Sequence, residues 1–193
     1  MARGPAPISP PARPRTVIVG CGRVGAELAG RLFSAGHEVT VIDLATEAFS
    51  RLPEDFGGAA VRGDGTDEDV LRRAGAEDAE YLFALTEGDN RNVLITQLAA
   101  ESLQVRNVVA KVNDPVRADA YTALGIATIC RTGMMVDALT VHLGLQLDHA
   151  MQGVMRATGH HPGSHDEHRP GDHVDLPVAA SPERVPGSLA RGS

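Results

Sequence analysis

Glycines at short, regular spacing follow an apolar stretch near the start of the chain. They are Gly20, Gly22 and Gly25, and they come directly after the residues VIV. Between a strand and a helix, this spacing permits a tight turn, lets backbone approach a pyrophosphate and lets the helix pack closely on the strand. The helix start then offers N–H groups and a positive dipole end to phosphate. The pattern predicts a phosphate-binding loop, whose other members join the candidate site: Cys21, Arg23 and Val24.

Acidic residues follow the next two apolar stretches. Asp43 ends the second predicted strand, where a carboxylate accepts hydrogen bonds from both hydroxyls of an adenosine ribose and repels a 2′-phosphate. The alternative is a cap for a helix at 45–52. Asp64, which follows Gly63 in a turn after the third strand, is placed to accept a hydrogen bond from an adenine amino group. A purely turn-forming aspartate is the alternative there.

Polar residues also stand at two further strand ends. Thr66 is followed three residues later by Asp69, which approximates a capping box and predicts that Thr66 caps the next helix. Thr86 and Asn90 leave the fourth strand at the switch point of the expected sheet, so we expect them to face the phosphates or a second ribose. Ordinary loop and capping chemistry is the alternative for both.

Short apolar runs alternate with helical patterns from residue 16 onward. The runs lack strict apolar–polar alternation, which is typical of parallel strands buried on both faces. Right-handed crossovers then predict an α/β, three-layer Rossmann fold with a six-stranded parallel sheet in the order 3-2-1-4-5-6. The predicted strands are 16–20, 38–43, 58–62, 80–85, 107–111 and 126–130, and the predicted helices are 23–35, 45–52, 67–74, 89–104, 115–124 and 132–147.

Composition divides the chain into four predicted segments. Residues 1–15 form a polar, Pro-rich, disordered arm, and 16–131 form the nucleotide-binding domain. The helix within 132–150 is apolar on most sides, which favours burial between two subunits; a core helix of a larger fold is the alternative. Residues 151–193 are rich in Gly, Pro, Ser and His and predict a disordered tail. Weak Zn or Ni binding by these histidines is the alternative, and we predict no metal site.

Charge and hydropathy exclude two further classes of protein. The net charge is −7, which argues against a nucleic-acid-binding protein. No apolar run approaches the ~20 residues of a membrane span, and the N-terminus has no apolar signal core. We therefore expect a cytoplasmic protein that does not insert into the membrane.

A search for catalytic groups finds no constellation for redox chemistry. Short-chain reductases use a tyrosine with a lysine four residues later, but Tyr81 and Tyr121 are followed at that distance by Leu85 and Gly125. Nothing beyond the nucleotide-binding fold remains to build a substrate pocket. We predict no catalytic residue and no enzyme activity. A small NAD-linked oxidoreductase, or a nucleotide-binding module without a transporter, is the alternative.

Several segments together resemble the N-terminal domain of potassium-transport regulators of the TrkA/KtrA type (RCK or KTN domain). These are VIVGCGRVGAELAGRLFSAGHEVTVID, GDGTDEDVLRRAGAEDAEYLFALTEGDNRNV and VVAKVNDPVRADAYTALGIATI. The resemblance implies that Arg23 reaches a nucleotide phosphate, that Asp43 binds ribose and that Asp64 lies near adenine.

The resemblance also implies a ligand, partners and a location. The ligand would be NAD(H) or ATP/ADP. The chain would be a regulatory subunit that forms a homodimer or a larger ring and gates a potassium-translocating membrane subunit. It would be cytoplasmic and peripheral at the inner face of the membrane. Members of the family usually append a second ligand-binding domain, and we expect that residues 151–193 do not form a complete one.

Overall fold

The computed structural model describes residues 13–145 of the chain. Its six parallel strands form one sheet in the order β3-β2-β1-β4-β5-β6, which confirms the predicted α/β Rossmann topology. The order reverses beside β1, because β2 pairs with one edge of β1 and β4 with the other. The strands are β1 (Arg15–Val19), β2 (Glu38–Asp43), β3 (Ala59–Arg62), β4 (Tyr81–Ala84), β5 (Asn107–Val112) and β6 (Thr128–Cys130).

Helices connect the strands in the expected alternation. The β2–β3 connection contains a 3-10 helix, Thr46–Arg51, within the helical stretch predicted over 45–52. Leu52, at its end, is extended because the following Pro53 disfavours helical geometry at the preceding residue. The α-helices are α1 (Arg23–Ser34), α2 (Glu68–Arg73), α3 (Asp89–Gln97), α4 (Pro115–Ala123) and α5 (Arg131–His142), and a second 3-10 helix spans Ala76–Asp78.

The helical stretch predicted over 89–104 ends in a different geometry. The α-helix gives way after Gln97 to a π-helical turn over Leu98–Ser102. Gln104 then has a φ of 58°, a left-handed conformation that no helix continues through. The helical segment therefore ends at Ser102, two residues before the predicted end, and β5 begins at Asn107 as predicted.

Aliphatic side chains pack on both faces of the sheet. Ile18, in the middle of β1, packs on the α1 side with Ala26 and Ala29. Its neighbours Val17 and Val19 point to the opposite face, which α2 and α3 cover with residues such as Leu71 and Ile95. Helix layers on both faces of one sheet form the predicted three-layer arrangement, and the carboxyl edge of the sheet remains open.

Helix α5 follows the last strand and is largely uncovered. Gly133 is its only buried residue. Met135 and Leu139, which are one turn apart, are 62% and 59% exposed. The helix begins at Arg131, one residue before the predicted start, and its α-helical part ends at His142.

Parts of the predicted segments fall outside the described residues. These parts are 1–12 of the arm, 146–150 of the helix segment and the whole tail, 151–193. Arg15, the last residue of the predicted arm, belongs to β1. In residues 13–145, none of the helices has the length and apolar character that crossing a membrane requires.

Candidate functional site

A cleft of about 420 Å³ opens at the carboxyl edge of the sheet, above β1. It lies where the strand order reverses, which is where doubly wound sheets bind ligands. Four loops build its wall, because the β1–α1, β2–β3, β3–α2 and β4–α3 connections all leave the sheet at this edge. The lining includes eight of the eleven predicted site residues: Gly20, Cys21, Gly22, Arg23, Asp43, Gly63, Asp64 and Thr86.

The glycine loop has the geometry that its spacing predicts. Gly20 has a φ of 107°, and a Cβ there would lie 2.9 Å from the backbone nitrogen of Thr86. A Cβ at Gly25 would collide with the carbonyl oxygen of Gly20, so α1 starts in direct backbone contact with the loop. Space above Gly22 is open, and no side chain caps α1 at this residue. The helix start therefore presents uncapped N–H groups to the cleft.

Asp43 fixes the position of this loop. Its Oδ2 accepts a hydrogen bond from the backbone N–H of Cys21 at 2.7 Å, and its Oδ1 accepts one from Ala45 at 2.9 Å. The capping alternative is not formed, because Ala45 is the N-cap of the 3-10 helix and no side chain caps it. Each carboxylate oxygen offers a second lone pair, so Asp43 retains the capacity to accept from ribose hydroxyls.

The thiol of Cys21 faces the protein interior. Cys21 is fully buried and packs with the apolar side chains on the α1 face of the sheet. Burial, and then the charge of Asp43, raise the pKa of the Cys21 thiol, although Arg51 lowers it in part. The thiol is therefore protonated at neutral pH, and this residue contributes backbone to the loop.

Asp64 is held by the residue that was predicted to cap α2. Its Oδ1 accepts hydrogen bonds from the backbone N–H of Thr66 at 3.0 Å and from the Thr66 hydroxyl at 2.8 Å. These bonds, and then the nearby Arg91, hold the pKa of Asp64 below its usual range. The capping prediction for Thr66 is wrong, because Asp67 caps α2 by accepting from the N–H of Asp69 at 2.9 Å.

Thr86 is tied to a buried asparagine. Its hydroxyl and its backbone N–H donate to Oδ1 of Asn92 at 2.6 and 2.9 Å. The Nδ2 of Asn92 donates to the carbonyls of Thr86 at 3.0 Å and of Lys111 at 2.8 Å. Asn92 is fully buried and thereby fixes the β4–α3 loop to the end of β5. Thr86 lines the cleft, and its hydroxyl oxygen retains the capacity to accept a hydrogen bond.

Three predicted residues lie outside the lining. Asn90 is exposed and accepts a hydrogen bond from the hydroxyl of Tyr121 on α4 at 3.3 Å. Val24 is 52% exposed on α1, and Gly25 acts through its contact with Gly20. A direct contact between Asn90 and a ligand stays a prediction.

Comparison with known proteins identifies the family. Residues 16–132 match the TrkA-N domain family. This chain belongs to that family. A relative from Streptomyces coelicolor, a Trk system potassium uptake protein TrkA, is 45% identical over 123 residues, which cover 64% of this chain and 55% of the relative. The chain therefore spans little more than half of that relative, and relatives from other organisms are matched over still smaller shares.

Solved structures with a similar fold include two that hold a nucleotide. The AMP-bound Kef C-terminal domain of Shewanella denitrificans matches with a TM-score of 0.56 at 26% identity, covering 74% of this chain and 87% of that one. The NAD-bound GsuK channel matches with a TM-score of 0.52 at 22% identity, covering 64% of this chain and 22% of that one. The second match shows the fold alone.

The cleft contains two arginines that were not among the predicted site residues. Arg51 and Arg91 line it together with Arg23. Within residues 13–145, these three arginines form no ion pair with a carboxylate. The position of Arg91, the third residue of the helix after β4, is the sequence feature that could have identified it. No feature of the local sequence marks the neighbouring Asn92 as buried.

The described part of this TrkA-N domain contains no cluster of three or more His, Cys, Asp or Glu side chains that could hold a metal ion. The polar groups of the cleft are instead loop N–H groups, carboxylates and guanidinium groups. Such a set is chemically suited to a molecule that carries both hydroxyl donors and phosphates.

Proposed function

We propose that this chain is a regulatory subunit of a potassium uptake system that binds an adenine nucleotide, NAD(H) or ATP/ADP, in the cleft above β1. The observation that carries the proposal is the arrangement of the cleft. An uncapped glycine loop with Arg23 stands at the phosphate side, and Asp43 stands at the ribose side. The Streptomyces relative, named for potassium uptake, supports the same transport process.

The proposed ligand seats its adenosine and phosphates in order along the cleft. Asp43 accepts the ribose hydroxyls, and Asp64 accepts from the adenine amino group. The glycine loop and Arg23 bind the phosphates, because backbone N–H groups at a helix start and a guanidinium both favour anions. Thr86, and Asn90 at the rim, face the distal phosphates or a second ribose.

Gating is proposed to act through the pairing of subunits. Met135 and Leu139 of α5, and Leu143 directly after it, are spaced four residues apart and are 62%, 59% and 71% exposed. Such a stripe on a helix outside the core suits a second copy of the chain in a homodimer or a larger ring. Nucleotide occupancy would then bias the arrangement of copies, and hence the membrane subunit that they contact at the cytoplasmic face.

Nucleotide binding is tested by isothermal titration of the full chain with ADP, ATP, AMP and NADH. The Arg23→Gln and Asp43→Asn variants should weaken binding about 10-fold or more, because each removes a charge-assisted contact. An Arg106→Gln variant, at the opposite edge of the sheet, should bind as the wild type does. Wild-type protein that binds none of the four nucleotides contradicts the proposal.

Subunit pairing is tested by sedimentation velocity. Leu139→Glu places a charge in the apolar stripe and should shift the protein toward monomer. Arg73→Glu, on the exposed side of α2, is the matched control and should leave the assembly unchanged. Co-purification with a potassium-translocating membrane protein tests the transport role, and sustained NADH consumption with carbonyl substrates would favour the alternative, a small oxidoreductase.

A further inference from the structure

Three arginines line the cleft, and their neighbours place them at different parts of its wall. Arg23 opens α1 directly after the glycine loop. Arg51 is within electrostatic reach of the Cys21 thiol in the same loop. Arg91, in contrast, is within electrostatic reach of Asp64, which follows β3. Two of the three guanidinium groups therefore lie near the glycine loop, and the third lies near Asp64.

Backbone packing explains why the loop that carries Asp64 meets α3. The next residue, Gly65, lies against Val19 at the end of β1, and a Cβ there would be 3.4 Å from Cδ1 of Ile95. Ile95 is fully buried and belongs to the core between α3 and the sheet. Arg91 stands four residues before Ile95, so the two residues share one side of α3. The contact of Gly65 with this side of the helix brings Asp64 and Arg91 together.

Both side chains remain available to a ligand. Arg91 forms no ion pair with a carboxylate within residues 13–145. Thr66 donates two hydrogen bonds to Oδ1 of Asp64, and Oδ2 keeps its capacity to accept. The other acidic side chain on this side of the cleft, Glu87, is within electrostatic reach of Lys111. Asp64 and Arg91 thus offer a hydrogen-bond acceptor and a planar cation next to each other.

An acceptor beside a planar cation suits an aromatic base that carries an amino group. The amino group donates to the carboxylate, and the π-face of the base packs against the guanidinium plane. Phosphates have less need of Arg91, because the loop N–H groups, Arg23 and Arg51 supply positive charge near the glycine loop.

We infer that Arg91 packs its guanidinium plane against the adenine of the bound nucleotide, and that Arg91 and Asp64 together form the base-binding part of the cleft. The inference rests on the proposed adenine-nucleotide site. AMP, ADP, ATP and NAD(H) all carry the same base. Arg91 therefore contributes to the affinity for each of them and does not distinguish them by their number of phosphates.

Isothermal titration of the full chain with AMP, ADP, ATP and NADH tests this placement. Arg91→Gln should weaken the binding of each nucleotide about 3- to 30-fold, the range expected for the loss of a cation–π contact. The factor should not rise from AMP to ADP to ATP, because the lost contact is to the base. Arg106→Gln removes the same charge at the opposite edge of the sheet and should change none of the four affinities.

Two further variants separate the planar face of Arg91 from its charge. Arg91→Tyr keeps a flat group for the base, whereas Arg91→Lys keeps the charge and has no planar group. The tyrosine variant should therefore bind all four nucleotides more tightly than the lysine variant does.

Three results would overturn the inference while the wild type still binds nucleotide and the proposed function stands. They are a loss in Arg91→Gln that grows with the number of phosphates, no loss in Arg91→Gln, and binding by Arg91→Lys that is at least as tight as binding by Arg91→Tyr. Wild-type protein that binds none of the four nucleotides would remove both the inference and the proposed function.

Discussion

Replacing Asn92 should destabilise the protein more than removing the hydroxyl of Thr86, which Asn92 holds. Asn92 is fully buried and makes four hydrogen bonds, two as acceptor and two as donor. In Asn92→Leu, a side chain of similar size removes all of them. The Thr86 N–H and the carbonyls of Thr86 and Lys111 lose their partner in the interior. At about 1 kcal/mol or more for each buried group, the expected loss is about 3 kcal/mol.

Thr86→Val is the matched comparison. It removes only the hydroxyl, and Oδ1 of Asn92 still accepts from the backbone N–H of residue 86. The expected loss is about 0.5–1.5 kcal/mol. Urea unfolding of both variants, analysed at a common slope, measures the difference directly. If Asn92→Leu costs no more than Thr86→Val, then the bonds to the two carbonyls contribute nothing and the reasoning is refuted.

Four further variants test the glycine loop and the acidic groups. Gly25→Ala should lose about 1–3 kcal/mol or more in urea unfolding, because its Cβ collides with the Gly20 carbonyl, whereas Gly22→Ala enters open space and should stay within about 0.5 kcal/mol. Asp43→Ala should lose about 1–3 kcal/mol by the same assay, since the buried N–H of Cys21 loses its acceptor; an unchanged midpoint would contradict this role. Burial raises the pKa of Asp89, but hydrogen bonds from Asn113 and Asp114 outweigh it and lower the pKa overall. The stability that Asp89 contributes is thus present above the unfolded pKa of about 3.9 and is lost as pH falls through the folded value. Wild-type protein should therefore lose more stability than Asp89→Asn between pH 7 and about pH 3.

The fold and the glycine loop could be predicted because their signals are local. Apolar runs without alternation identify buried parallel strands, and the handedness of crossovers then sets the strand order. Gly20 is required by its positive φ, and Gly25 is required by its close contact with the Gly20 carbonyl. Both glycines lie within one segment of six residues. Asp43 was predictable for a related reason, since it stands at the end of a strand beside this loop.

The remaining features depend on contacts between residues distant in sequence. Asn92 joins the β4–α3 loop to the end of β5, 19 residues further on, and nothing in a single helical pattern marks it as buried. Thr66 and Asp67 illustrate a different failure, since both residue types cap helices well and only the backbone geometry decides between them. Arg91 enters the cleft only because α3 begins beside β1 in the folded sheet.

A set of contacts connects the cleft to the start of α5. Asp89, in the α3 turn that carries Arg91, accepts hydrogen bonds from the backbone N–H groups of Asn113 and Asp114 at 2.9 and 3.2 Å. The carbonyl of Asn113 accepts a long bond from the thiol of Cys130 at 3.7 Å. The Cys130 sulfur in turn accepts from the N–H of Gly133 at 3.3 Å and caps α5.

Contacts of this kind transmit an effect only if the nucleotide binds the paired and unpaired forms with different affinity. If the chain binds ADP and pairs as proposed, the coupling is reciprocal: ADP tightens subunit pairing by the same factor by which pairing tightens ADP binding, about 5- to 150-fold for typical systems. Cys130→Ala removes the cap of α5 and its bond to Asn113, and should lower this factor while ADP still binds. Cys130→Ser retains an acceptor for Gly133 and should preserve it. Sedimentation with and without ADP measures the factor in each variant, and an equal factor in wild type and Cys130→Ala would mean that the coupling follows another route through the domain.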